Sequence, residues 1–298
     1  MISGVIYSFI VSLFYSLYLI PRKFSKQSPA LYTAYLSLAY FLTNVVWYSI
    51  TLGFRIGERE TLSSVWHLLS ILRGCSWAVG AVLLHSSIDK IGIGKSAQWK
   101  NLQGPIGSIL MLVFLHEASG WKVVFIVSGI FAIFISAVLF TVRKENEKKS
   151  AFNIGILYAV LAACSFGINV FVQKILVNHG FVFSQLVYTS LSSFILAAAM
   201  FFIQNRKKDR KESFILFKQA WLPLTAGVLF GVAIIFLVLA NSLMPGSISF
   251  SIVQLNTVWT LLIGIFVFKE ISFIENRPRI ITGLIFAIGA ITLLMLAL

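Results

Sequence analysis

Ser96, Trp99, Lys100 and Gln103 recur at i, i+3, i+4 and i+7, the spacing that stacks side chains on one face of a helix. The stripe presents a hydroxyl, an indole, an ammonium and an amide within the run from Gly92 to Leu115, whose other positions are largely small or apolar. A charge near the centre of a membrane-spanning helix costs roughly 2.5–3.5 kcal/mol on insertion scales, so Lys100, and Arg73 in the preceding run, each require an offset. All ten acidic residues (Glu58, Glu60, Asp89, Glu117, Glu145, Glu147, Asp209, Glu212, Glu270 and Glu275) fall in connections or at the ends of apolar runs, leaving no deep carboxylate for either cation. The offset must come from water in a cavity, from carbonyls and amides, or from an acceptor on a bound molecule; snorkelling would take up much of the Lys100 stem. This is the chemistry of binding a small polar ligand. Lys100, Gln103, Trp99, Asn101, Ser96 and Arg73 are its candidate contacts.

Trp77 lies deep in the run that holds Arg73, and Gln254, Asn256 and Trp259 lie deep in a later one. A flat indole face beside amides and hydroxyls suits a ligand with one apolar face, such as a sugar or a base. Trp47, Trp66, Trp121 and Trp221 sit near run ends and suit the interfacial belt. Gly104-Pro105 follows the stripe directly; Pro105 cannot donate to the carbonyl of Asn101, so a kink and a free carbonyl are expected there. Gly92-Ile93-Gly94-Lys95-Ser96 resembles the end of a phosphate loop, but Asp89 stands where the first glycine must be. The four histidines (His67, His85, His116 and His179) lack ligand spacing, so no metal and no cofactor is expected. Nor do acid and base groups cluster as an enzyme requires. Without a deep carboxylate to relay protons, the remaining modes of transport are facilitated diffusion, exchange, or sodium held by backbone carbonyls.

The elements that must position these residues are helices in lipid. Of 298 residues, 58% are hydrophobic and 11% charged, with a mean hydropathy of +0.91. That is far above an ordinary soluble domain. The apolar runs are Ile2 to Ile20, Leu31 to Leu52, Ser64 to Ser86, Gly92 to Leu115 and Trp121 to Val142, then Ile154 to Leu176, Phe181 to Ile203, Trp221 to Asn241, Ser247 to Phe268 and Arg279 to Leu298. They are too long and too uniformly apolar for barrel strands, so the expected fold is an all-α integral membrane bundle of ten transmembrane helices. The net charge of +14 sits in short loops rather than on a solvated basic face, which excludes nucleic acid as a partner. Connections after odd-numbered helices hold 18 Lys and Arg against 4 after even-numbered ones, placing the odd connections in the cytoplasm and both termini outside. The first run lacks a basic segment before it and reads as a retained span rather than a cleaved signal. Cys75 and Cys164 lie within apolar runs and read as small buried hydrophobes.

Five runs followed by five invite a search for duplication. The fourth and ninth match without gaps at an offset of 153: Ser96 on Ser249, Asn101-Leu102-Gln103 on Gln254-Leu255-Asn256, and Glu117 on Glu270. Lys100 has no cationic counterpart. An odd number of helices per copy inserts the second upside down, so residues 1–150 and 151–298 are expected to be inverted five-helix repeats of one membrane domain. A ligand site would then lie near the midplane among helices 3, 4, 8 and 9.

Ten helices in two halves, short loops, and a Glu closing helices 4 and 9 (Phe114-Leu115-His116-Glu117 and Phe268-Lys269-Glu270) resemble the drug/metabolite transporter superfamily. Ser76-Trp77-Ala78-Val79-Gly80 and the run Ile91 to Glu117 resemble its glucose/ribose porter branch. The resemblance implies sugar uptake across the plasma membrane by alternating access, with two four-helix sets rocking and helices 5 and 10 peripheral. The alternative is a carrier of an anionic metabolite, a carboxylate or phosphate ester, bound by Lys100 and Arg73; a membrane enzyme or sensor is a third reading. The expected partners are a small-molecule substrate and lipid. The sequence does not assign an oligomeric state.

Overall fold

A computed structural model describes residues 2–54, 64–140, 149–206, 217–269 and 273–297. Among these residues the chain is entirely helical: α1 (Ile2–Leu17), α2 (Ile20–Phe24), α3 (Pro29–Phe54), α4 (Ser64–Ile91), α5 (Ile93–Lys100), α6 (Gln103–Leu115), α7 (Trp121–Phe140), α8 (Lys149–Asn178), α9 (Ser184–Arg206), α10 (Phe217–Leu243), α11 (Gly246–Val253), α12 (Asn256–Leu262) running into a π-helical turn (Ile263–Val267), and α13 (Phe273–Leu296). Among the described residues, seven helical stretches are long and apolar enough to cross a membrane. These are Ile2–Phe24, Val65–Ile91, Ala151–Asn178, Ser184–Arg206, Ala220–Leu243, Gly246–Val267 and Asn276–Leu296. The fold is that of an all-α membrane protein.

The other three expected spans correspond to α3, to α5 with α6, and to α7. α3 is long enough to span and carries tyrosines, threonines, serines and an asparagine among its apolar residues. The expected fourth helix is divided into α5 and α6. The connections after Phe54, Phe140 and Arg206, which carry nine of the loop cations, lie outside the described residues, as do Glu270 and the two chain ends.

Between helices in lipid, association depends on close packing and interhelical hydrogen bonds rather than on burial of apolar surface. The most extensive contacts here join the first half of the chain to the second: α4 with α8, α3 with α9, α7 with α13, α3 with α10, α4 with α9, α1 with α10, and α6 with α8. Two glycines fix the closest approaches. A Cβ on Gly74 would lie 2.1 Å from the carbonyl oxygen of Thr189, and one on Gly227 would lie 2.2 Å from that of Leu36. Gly227 follows Gly74 by 153 residues and Thr189 follows Leu36 by 153, so the same contact is made twice with the halves exchanged. Serines supply the polar counterpart: Ser8 Oγ meets Ser249 Oγ at 3.2 Å, Ser87 Oγ meets Ser96 Oγ at 2.8 Å, and Ser108 Oγ meets Ser251 Oγ at 3.0 Å.

Candidate functional site: a central aromatic cavity

The expected kink in the fourth helix is a full break. α5 ends at Lys100, Asn101-Leu102 turn, and α6 starts at Gln103. The Asn101 carbonyl is not free, contrary to the sequence expectation: Gly104 N donates to it at 3.0 Å, because the chain tightens to a three-residue turn where Pro105 has no N–H to offer. α11 breaks in the same way at Gln254-Leu255, where Thr257 N donates to the Gln254 carbonyl at 3.0 Å. The two breaks are 153 residues apart and touch. Asn101 Nδ2 donates to Thr257 Oγ1, while a Cβ on Gly104 would meet the Gln254 side chain. His116 and Lys269, again 153 apart, are the two non-glycine residues with positive φ among the described residues, at 50° and 51°. Glu117 follows His116 and accepts from Gly246 N at 2.9 Å and Ser247 N at 2.7 Å, so it caps the start of α11.

Beside the first break lies a small cavity of about 20 Å³, bounded by α1, α4, α5, α6, α8 and α10. Tyr15, Tyr18, Trp77, Phe166 and Phe230 form its aromatic walls, Val170 and Ile234 add aliphatic surface, and Lys100, Gln103 and Asn169 bring polar groups. Phe230 organises the rings: it stacks on Tyr15 with centroids 5.7 Å apart and lies 5.1 Å from Tyr18 and 4.8 Å from Trp77. Lys100 is 3% exposed, with Nζ 5.0 Å from the centroid of Tyr15 and 6.0 Å from that of Phe166. Snorkelling is thereby excluded. Cation–π contacts supply about 0.5–2 kcal/mol each. That offsets part of the burial cost but gives the ammonium no hydrogen-bond acceptor. Among the described residues no carboxylate pairs with it.

The sequence-derived candidates divide by what they touch. Lys100, Gln103 and Trp77 line the cavity. Arg73 does not: its guanidinium donates to Asn169 Oδ1 at 3.2 Å, Gln185 Oε1 at 3.0 Å and Thr189 Oγ1 at 3.3 Å. Its charge is solvated by neutral oxygens of α8 and α9. Ser96 is bonded to Ser87, and Asn101 and Gln254 sit at the contact between the breaks. Asn256 lies buried at the second break, where its carbonyl accepts from Ser16 Oγ at 2.9 Å. Trp99 is partly buried and not part of the cavity wall. Trp259 is 40% exposed, with Nε1 3.2 Å from Ser12 Oγ. None of the wall comes from the ninth apolar run, whereas α1 with the turn that follows it and α8, which sequence reasoning passed over, supply half of it.

A signal for those two helices was present. Tyr15 and Tyr18 recur as Phe166 and Asn169 at an offset of 151, and Asn169 is an amide deep in an apolar run. Trp77 and Phe230 pair at 153. The wall is therefore assembled from corresponding positions of both halves, with the amide and the ammonium on single members of their pairs.

Comparison with known proteins agrees with this architecture. A family model described as "Sugar transport protein" matches residues 42–297. A protein of Enterococcus faecalis (strain ATCC 700802 / V583) named "Putative sugar uptake protein" is 25% identical over 250 residues, covering 81% of this chain and 82% of that one. A solved crystal structure superposes with a TM-score of 0.68 over 99% of this chain and 97% of the other, at 14% identity, a likeness of fold. With its match running from within α3 almost to the last residue, the chain belongs to the sugar transport protein family.

Proposed function

We propose that this protein is a secondary carrier that moves a sugar across the cytoplasmic membrane by alternating access, with the aromatic cavity as its binding site. The observation that carries the reading is the pairing of ring-shaped apolar walls (Trp77, Phe230, Tyr15) with an unneutralised ammonium at Lys100 and an amide at Gln103. A pyranose presents flat C–H faces to such walls and hydroxyls to such donors. The carriage is through ten spans arranged as two inverted five-helix repeats, residues 1–150 and 151–298, as in the drug/metabolite transporter superfamily. The coincident breaks, the exchanged glycine contacts and the positive φ at His116 and Lys269 support that arrangement.

The rival reading, in which Lys100 and Arg73 jointly hold an anion, loses one of its two cations, because Arg73 is turned to amides of α8 and α9. Counterflow of labelled sugar in proteoliposomes tests the proposal. Lys100→Ala and Gln103→Ala are each expected to lower the rate about tenfold or more, the loss of one charge-assisted or neutral hydrogen bond in a dry site. Wild-type rates in both correctly folded variants would remove the cavity from the transport path.

A further inference from the structure

The cavity's polar groups are unbalanced. Lys100 brings three N–H donors and a positive charge, and no hydrogen-bond acceptor or carboxylate among the described residues meets them. Gln103 adds an Nε2 that has no hydrogen-bond partner. The wall's other amide is fully engaged: Asn169 Oδ1 accepts from Arg73 Nε, and Asn169 Nδ2 donates to the Arg73 carbonyl at 2.8 Å. The wall's acceptors, Gln103 Oε1 and the phenol oxygens of Tyr15 and Tyr18, are neutral, so the charge of Lys100 has no counter-charge among the described residues.

Resting on the reading of this cavity as a sugar site, we infer that the preferred substrate is a sugar bearing one carboxylate, a hexuronate or aldonate, whose carboxylate sits on Lys100 Nζ within reach of Gln103. A neutral sugar brings a donor with every hydroxyl and leaves the ammonium charge uncompensated. A carboxylate is acceptor-only, neutralises the site, and forms the charge-assisted bond, roughly twice as strong as a neutral one. A phosphate ester carries about −1.5 to −2 at neutral pH. Arg73 does not line the cavity to meet the second charge: its Nε and Nη1 are turned to Asn169, Gln185 and Thr189. A simple carboxylate without a ring would leave the Trp77, Phe230 and Tyr15 faces unused.

Purified full-length protein provides the test, by thermal shift and by competition against labelled sugar in counterflow, with glucose, glucuronate, gluconate, glucose 6-phosphate and acetate as ligands. Glucuronate or gluconate is expected to compete about tenfold or more better than glucose, the size of one charge-assisted bond in a desolvated site. Acetate and the phosphate ester are expected to be weak. Lys100→Gln should reduce the acid-to-neutral preference about tenfold, and Lys100→Arg should retain most of it. Glucose binding as well as its acids, or an undiminished preference in a folded Lys100→Gln protein, overturns the inference while leaving the sugar site standing. Stronger binding of glucose 6-phosphate overturns the single-charge argument. If neither neutral nor acidic sugars bind, the sugar-site reading itself fails. The wild-type panel decides these outcomes even where a variant does not fold.

Discussion

Gly74 and Gly227 show how little space separates the helices that carry the cavity. At each, an added Cβ would fall inside contact distance of a backbone carbonyl, which cannot rotate away as a side chain does. Gly74→Ala and Gly227→Ala are each expected to cost about 1–3 kcal/mol as the helices are forced apart. Gly289, in α13, has nothing within 4 Å of its added Cβ, and alanine there is expected to be neutral or to stabilise by up to about 1 kcal/mol through helix propensity. Thermal unfolding in one detergent would rank the three. At this scale the sequence was readable where a residue type was costly. Lys100 and Arg73 stood out because charge in lipid needs a reason, but which of them faced open space depended on partners contributed by α8 and α9. Ser96 and Ser249, and Asn101 and Gln254, matched across the chain because both members join helices or hold the breaks, so their recurrence reported assembly rather than ligand contact.

The breaks in the fourth and ninth runs are the elements on which the site depends, since the first brings Lys100 and Gln103 to the same cavity from two short helices. Gly104-Pro105 made the first break legible. The second has no proline and became visible only through its common register with the first. The aromatic wall was less legible because an aromatic residue in an apolar run has the same appearance whether it faces a neighbour or a cavity. Glu117 ties the two halves together at this level. Its carboxylate, largely buried, receives two N–H groups from the start of α11 and lies 3.8 Å from Lys174 Nζ. Glu117→Gln leaves one acceptor oxygen where there were two and removes the charge facing both the helix dipole and Lys174. An unfolding cost of about 1–3 kcal/mol is expected, and a variant as stable as wild type would show the cap to be dispensable.

In the whole molecule, corresponding ties close both ends of the bundle. At the end of α1 and α4, Arg22 is held by Asp89 at 2.5 and 2.6 Å and by the Gln27 carbonyl at 2.8 Å. At the opposite end, where Gly4 of α1 meets Met244 after α10, Lys174 donates to the carbonyls of Asn241 and Met244 at 2.7 and 3.3 Å. Arg22 is 1% exposed at its side chain while Asp89 is 45% exposed, so Asp89→Asn is expected to cost about 1–3 kcal/mol, below the figure for a fully enclosed pair. The same denaturation assay reads it.

The exchanged packing of the helices has a consequence for biosynthesis. Because α1, α3 and α4 find their main neighbours in α8, α9 and α10, a nascent chain that has threaded only its leading portion into the bilayer carries unmatched grooves and an unsolvated Arg73 whose amides have yet to leave the ribosome. Separate fragments ending and beginning near residue 148 should accordingly be degraded when made alone and rescue one another when made together.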